Sequence, residues 1–154
     1  MLSGKTKNPV PVKPAKAKKE TVSYRLPTNL KVEMLQKMIS VDQYGLRDKS
    51  RWVGEAINSF LLEERSWKDQ TLDGDMVKEN DEKDVIYVTK DIKKLLKDRQ
   101  EEMLQYLTEK ASSEAHPERT KKLKASESSI VRAAIIWRMY DLRMPVVNEQ
   151  HSLL

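Results

Sequence analysis

Two ten-residue runs, Asp48-Lys49-Ser50-Arg51-Trp52-Val53-Gly54-Glu55-Ala56-Ile57 and Ser126-Glu127-Ser128-Ser129-Ile130-Val131-Arg132-Ala133-Ala134-Ile135, match cap for cap and apolar residue for apolar residue at a constant offset of 78. Each opens on a residue suited to capping a helix and continues with an apolar stripe at helical spacing. Each is also preceded by a short β-rich run. Thr21 to Pro27 alternates strictly, with Val22, Tyr24 and Leu26 on one face and Thr21, Ser23 and Arg25 on the other. Asp84-Val85-Ile86-Tyr87-Val88-Thr89 is its counterpart at an offset of 62, setting Tyr24 against Ile86 and Leu26 against Val88. A lone strand leaves its backbone donors and acceptors unpaired, and a strand with two helices in about forty residues cannot bury its own faces. Each copy therefore needs the other, and the expected fold class is mostly α with a short antiparallel two-stranded ribbon.

Between ribbon and capped helix, each copy holds a further helical run. In the first, Leu30, Met34, Met38 and Val41 recur at helical spacing between a cap at Thr28 or Asn29 and a stop at Gly45, predicting a helix from about Leu30 to Tyr44. In the second, Ile92, Leu95, Leu96, Met103, Leu104 and Leu107 play the same part. The two offsets differ by 16, so the second copy holds 16 extra residues between its helices, assigned to an inserted loop over 111–124. The expected organisation is a disordered basic arm (1–20), a first copy (21–66), an acidic linker (67–83), a second copy (84–144) and a tail (145–154). Asp73-Gly74-Asp75 and Glu79-Asn80-Asp81-Glu82 in the linker lack the alternating ligands and closing Glu of a calcium loop, so the stretch reads as a solvated tether.

Charge narrows the function. The arm carries six lysines against one glutamate, which accounts for the whole formal net charge of +5, and the rest of the chain is neutral overall. Such an arm attracts polyanions, although lysine-rich termini also serve only as solubilising tails. Four scattered glycines cannot build a phosphate loop, and the absence of cysteine removes disulfides and thiolate metal sites. His116 and His151 have no ligand partners at metal spacing, so neither a metal nor a cofactor is expected. No nucleophile, base and orienting group come together at interpretable spacing, so the chain is not expected to be an enzyme. With 34% charged residues, a mean hydropathy of −0.71 and no long apolar run, it is expected to be soluble, cytoplasmic and without a membrane partner.

The order of ribbon (Thr21 to Pro27), turn (Gly45-Leu46) and the two matching helix starts resembles the ribbon-helix-helix superfamily of DNA-binding proteins, that of the Met and Arc repressors. Two copies in one chain are similar to the TraY-type relaxosome accessory proteins of conjugative plasmids. The resemblance covers roughly residues 21–62 and 84–144 and implies a tandem ribbon-helix-helix, a pseudo-dimer in one chain. In that family the paired ribbons enter the major groove and the second helices turn their N-termini to phosphates. It implies base contacts from Thr21, Ser23 and Arg25 and, on the second ribbon, from Lys83, Val85 and Tyr87. Phosphate contacts would come from Lys49, Ser50 and Arg51, from Glu127, Ser128 and Ser129, and from Lys18 and Lys19 of the arm.

Exposed Thr and Ser on a strand are ordinarily just solvated, and Trp52, Phe60 and Trp137 on apolar stripes are core rather than stacking platforms. The order of ribbon, turn and helix start gives the polar strand face its meaning. Arg25 offers a guanidinium suited to guanine, whereas Val85 and Tyr87 suit thymine methyls or protein packing equally. The expected partner is double-stranded DNA, bound by a transcription regulator or a plasmid transfer or partition factor. Self-association along DNA and a relaxase are the further partners. The alternative is a protein-interaction module, an antitoxin or adaptor on the same fold.

Overall fold

The computed structural model describes residues 19–75, 82–113 and 126–143. The arm up to Lys18, the second half of the acidic linker, most of the 111–124 insert with His116, and the tail with His151 lie outside the described residues.

Strand β1 (Glu20–Leu26) buries Val22, Tyr24 and Leu26 and exposes Thr21, Ser23 and Arg25. Pro27 then ends the ladder and serves as N-cap of α1 (Thr28–Ile39), so neither Thr28 nor Asn29 is the cap. The helix stops five residues before Tyr44 and turns at Ser40, which leaves Val41 42% exposed instead of in the core. A single 3-10 turn (Leu46–Asp48) leads into α2 (Lys49–Glu63). Asp48 does not cap α2 with its side chain. Its carboxylate accepts from the Gly45 N–H at 2.7 Å, closing the turn before the helix, and that bond first and Arg51 second hold its pKa below the ordinary carboxylate value.

The linker is the main correction. Its first half is a helix, α3 (Trp67–Asp75), with Trp67 and Leu72 buried in the core and Thr71 beneath them, its hydroxyl returned to the Trp67 carbonyl at 2.7 Å. Strand β2 (Glu82–Val88) begins two residues earlier than expected and is followed by α4 (Lys90–Ser113), twice the length of α1. Of the 111–124 insert assigned to a loop, residues 111–113 form the end of α4 and the rest lies outside the described residues. Leu96, Met103 and Leu107 of α4 are buried, while Leu104 faces out. The last helix, α5 (Glu127–Met139), is capped as expected by Ser126, whose hydroxyl accepts from the Ser129 N–H at 3.1 Å.

The protein is mostly helical with one two-stranded antiparallel sheet. Strands β1 and β2 pair from Glu20↔Val88 to Leu26↔Glu82. Helices α2 and α5 cross beneath them, α2 against β2 and α5 against β1, and pack on each other with the Phe60 and Trp137 ring centres 5.5 Å apart. A two-stranded sheet is marginal alone, and this one is held by an apolar underside of Val22, Tyr24, Leu26, Ile86 and Val88 resting on those helices. Helix α3 covers the far side of α5, where Glu64, at the end of α2, accepts the Trp137 indole N–H at 2.9 Å. Among the described residues no helix is long and apolar enough to cross a membrane.

Candidate nucleic-acid interface

The strand register brings all six ribbon residues onto one outer face, Thr21 opposite Tyr87, Ser23 opposite Val85 and Arg25 opposite Lys83. Five of them are exposed and Val85 is half-buried. The face follows from the alternation of both strands, because the residues between them are pulled down into the core.

Two serines tie this ribbon to the helix starts. The Ser128 hydroxyl accepts the Arg25 N–H at 3.0 Å, and the Ser50 hydroxyl accepts the Tyr87 N–H at 3.0 Å. Ser50 and Ser128 are equivalent at the offset of 78, Arg25 and Tyr87 at the offset of 62, so the two bonds are copies of each other. They satisfy outward-facing strand donors that would otherwise need water. Because each hydroxyl acts there as acceptor, its own proton remains to be donated to a further oxygen.

The other helix-start residues are differently engaged. Lys49 donates to the buried Asp84 carboxylate at 2.6 Å. Glu127 accepts from Lys93 at 2.8 Å, and as an anion it would repel a phosphate. Ser129 is 1% exposed, facing the Ser126 hydroxyl at 2.9 Å, and so cannot reach a phosphate. The Arg51 guanidinium lies 4.3 Å from the Tyr44 ring centre and donates to the Gln43 carbonyl at 2.5 Å. Lys19 is exposed beside the α2 start. Ser50, Ser128 and Lys19 therefore keep the geometry for a phosphate, whereas Lys49, Glu127 and Ser129 are spent inside the fold.

Two groups escaped the sequence reading. Arg132, 5% exposed, reaches out of α5 so that its Nε donates to the Arg25 carbonyl at 2.9 Å and its Nη2 to Ser128 at 3.3 Å. The main chain of Arg25 is thus gripped on both sides. Asp84 sits on the buried face of β2, its carboxylate taking the Tyr24 hydroxyl at 2.7 Å as well as Lys49. The available signal for both was a charged residue inside an apolar pattern. Arg132 interrupts Ile130-Val131 and Ala133-Ala134, and Asp84 takes the place that Val22 holds in the first strand.

No family model, curated protein or solved structure matches the chain.

Proposed function

We propose that the chain is a sequence-specific double-stranded DNA-binding protein, a tandem ribbon-helix-helix that lays its paired strands in the major groove as a transcription regulator or as an accessory factor at a plasmid transfer or partition site. The observation that carries the reading is the exposed face of Thr21, Ser23, Arg25, Lys83, Val85 and Tyr87, bracketed by two symmetry-equivalent helix starts that hold it through Ser50 and Ser128. A two-stranded ribbon fits the major groove, where base edges display a sequence-dependent pattern of donors and acceptors. Arg25 is the main reader, matched to guanine. Ser50, Ser128 and the backbone N–H groups of the two helix starts set the register on phosphates, and the lysines of the arm add affinity for any duplex. At a transfer site the second partner would be a relaxase.

One observation favours a second reading. Tyr87, 55% exposed beside Val85, gives the second strand an apolar surface of the kind enriched where proteins meet. On that reading the chain is an interaction module, an antitoxin or adaptor.

Selection of bound sequences from a random duplex library with the full chain separates the two. The expected motif is asymmetric, with guanine specified on the Arg25 side and at most a thymine-methyl preference opposite Val85 and Tyr87. Absence of any enriched sequence would favour the interaction module. A strong inverted repeat with equal halves would mean that two chains pair their first strands.

A further inference from the structure

The internal repeat is broken at one position in a way that leaves a cleft. In the second half Arg132 fills the space beside β1, with its guanidinium on the Arg25 carbonyl and the Ser128 hydroxyl. Its equivalent at the offset of 78 is Gly54. There the Ser50 hydroxyl takes the Tyr87 N–H just as Ser128 takes that of Arg25, but position 54 sends no side chain toward the strand. A cleft of about 390 Å³ opens instead between α2, the end of β2 and the start of α4. Gly54, Val88 and Ile92 line its apolar part, and Ser50, Glu55, Asn58 and the exposed Lys19 its polar part.

The lining differs from the second half in charge as well as in size. Glu55 and Asn58 stand where the repeat has Ala133 and Ile136, so a carboxylate and an amide replace apolar groups, and the carboxylate is held by the Tyr44 hydroxyl and by Arg138 at 3.3 Å. Helix α3 packs on α5, and among the described residues α2 has only the lighter packing of α4 in its place. Arg51, also at the cleft, directs its guanidinium to the Tyr44 ring and the Gln43 carbonyl.

We infer that this cleft is a binding site for a guanidinium group on an aliphatic stem, the chemistry of arginine, supplied by a ligand in the place that Arg132 occupies in the other half. The stem would lie against Val88 and Ile92. The planar donors would meet the Ser50 hydroxyl and the Tyr87 carbonyl, the counterparts of Arg132's partners. The inference rests on the internal repeat and not on the reading of the ribbon as a DNA reader.

Titration of the isotope-labelled full chain at constant ionic strength tests it, using N-acetyl-arginine-methylamide, free L-arginine and N-acetyl-lysine-methylamide as probes. Saturable amide shifts are expected at Ser50, Gly54, Tyr87 and Thr89 with the arginine probes, and severalfold weaker binding of the lysine probe, whose ammonium lacks the planar fork. Saturation by both arginine probes identifies a free small molecule as the source, and saturation by the blocked probe alone identifies an arginine of another polypeptide. Gly54→Arg should abolish the shifts by supplying the group in place. A Cβ at that position meets Ile92 Cδ1 at 3.5 Å and Val88 Cγ1 at 3.9 Å, ordinary contacts that the fold accommodates. Ser50→Ala, which removes one of the two acceptors, should weaken binding severalfold and keeps the test open if Gly54→Arg does not fold. No saturable shift, equal binding of the lysine probe, or unchanged binding in either variant would overturn the inference.

Discussion

Asp84 shows how one residue couples the ribbon to a helix start. Burial opposes its ionisation, but the hydrogen bonds from Lys49 and Tyr24 outweigh that cost and hold its carboxyl below the ordinary value. A depressed carboxylate pKa stabilises the fold in full above the unfolded value near 4, and the contribution is lost as pH falls through the lower folded value. Tyr24 has the opposite sign. Burial first, then Asp84, push its hydroxyl well above the ordinary value, so its contribution holds below about pH 10 and fades under alkali. Asp84→Asn keeps the shape and removes the charge, and should cost about 1–3 kcal/mol at neutral pH, as expected for hydrogen bonds to a charged group. Denaturant unfolding of variant and wild type across pH checks this: the difference should shrink as the pH is taken well below 4. Arg25 is the contrasting residue, because its side chain stands on the outer face and only its main chain is gripped from below. Arg25→Ala should leave the melting curve in place and weaken the selected DNA site by about 1–3 kcal/mol. Equal affinity for that site would dismiss the proposed reading face.

At the scale of elements, α3 and the far end of α4 are the parts that a strand, helix, helix repeat does not contain. They meet each other. The Tyr106 hydroxyl of α4 donates to the Asp69 carboxylate of α3, and that bond, more than burial, pushes the phenol up to about 12. Arg99 lies 5.7 Å from the Trp67 ring centre. Trp67 should therefore act as a core residue. Trp67→Ala should destabilise the whole protein by about 3 kcal/mol, the usual cost of emptying a large buried aromatic site, whereas a tryptophan on a solvated tether would cost almost nothing. Thermal or denaturant unfolding followed by circular dichroism gives the answer. The sequence concealed α3 because Trp67, Thr71 and Leu72 are too few to draw an apolar stripe among Lys68, Asp69, Asp73 and Asp75. Its burial was decided by the exposed flank of α5, which no local pattern reveals.

At the scale of the molecule, both strands and all the core helices come from one chain, so the hydrophobic core closes without a partner copy. The unfolding midpoint should accordingly be independent of protein concentration, and sedimentation at low concentration should show a folded monomer. A midpoint that rose with concentration would reveal an obligate dimer built by exchange of copies between chains. What the sequence determined by itself were the features carried by local period: the alternation that assigns each ribbon residue to a face, the apolar stripes of α2 and α5, the Ser126 cap, and the equivalence of the two halves. These are legible because backbone geometry alone dictates whether residues two, three or four apart share a side. What only the tertiary structure decided were the burial and the partners of charged and hydroxyl groups. Lys49 and Ser129, equally plausible as phosphate contacts in one dimension, were drawn into the fold, while Arg132 left an apolar stripe to hold the Arg25 main chain and Gly54 left its counterpart site open. The reason is that a hydrogen bond or ion pair is settled by distances of a few ångströms between elements 35 to 107 residues apart in the chain, and by the cost of leaving any buried polar group unpaired, and neither quantity exists until the chain has folded.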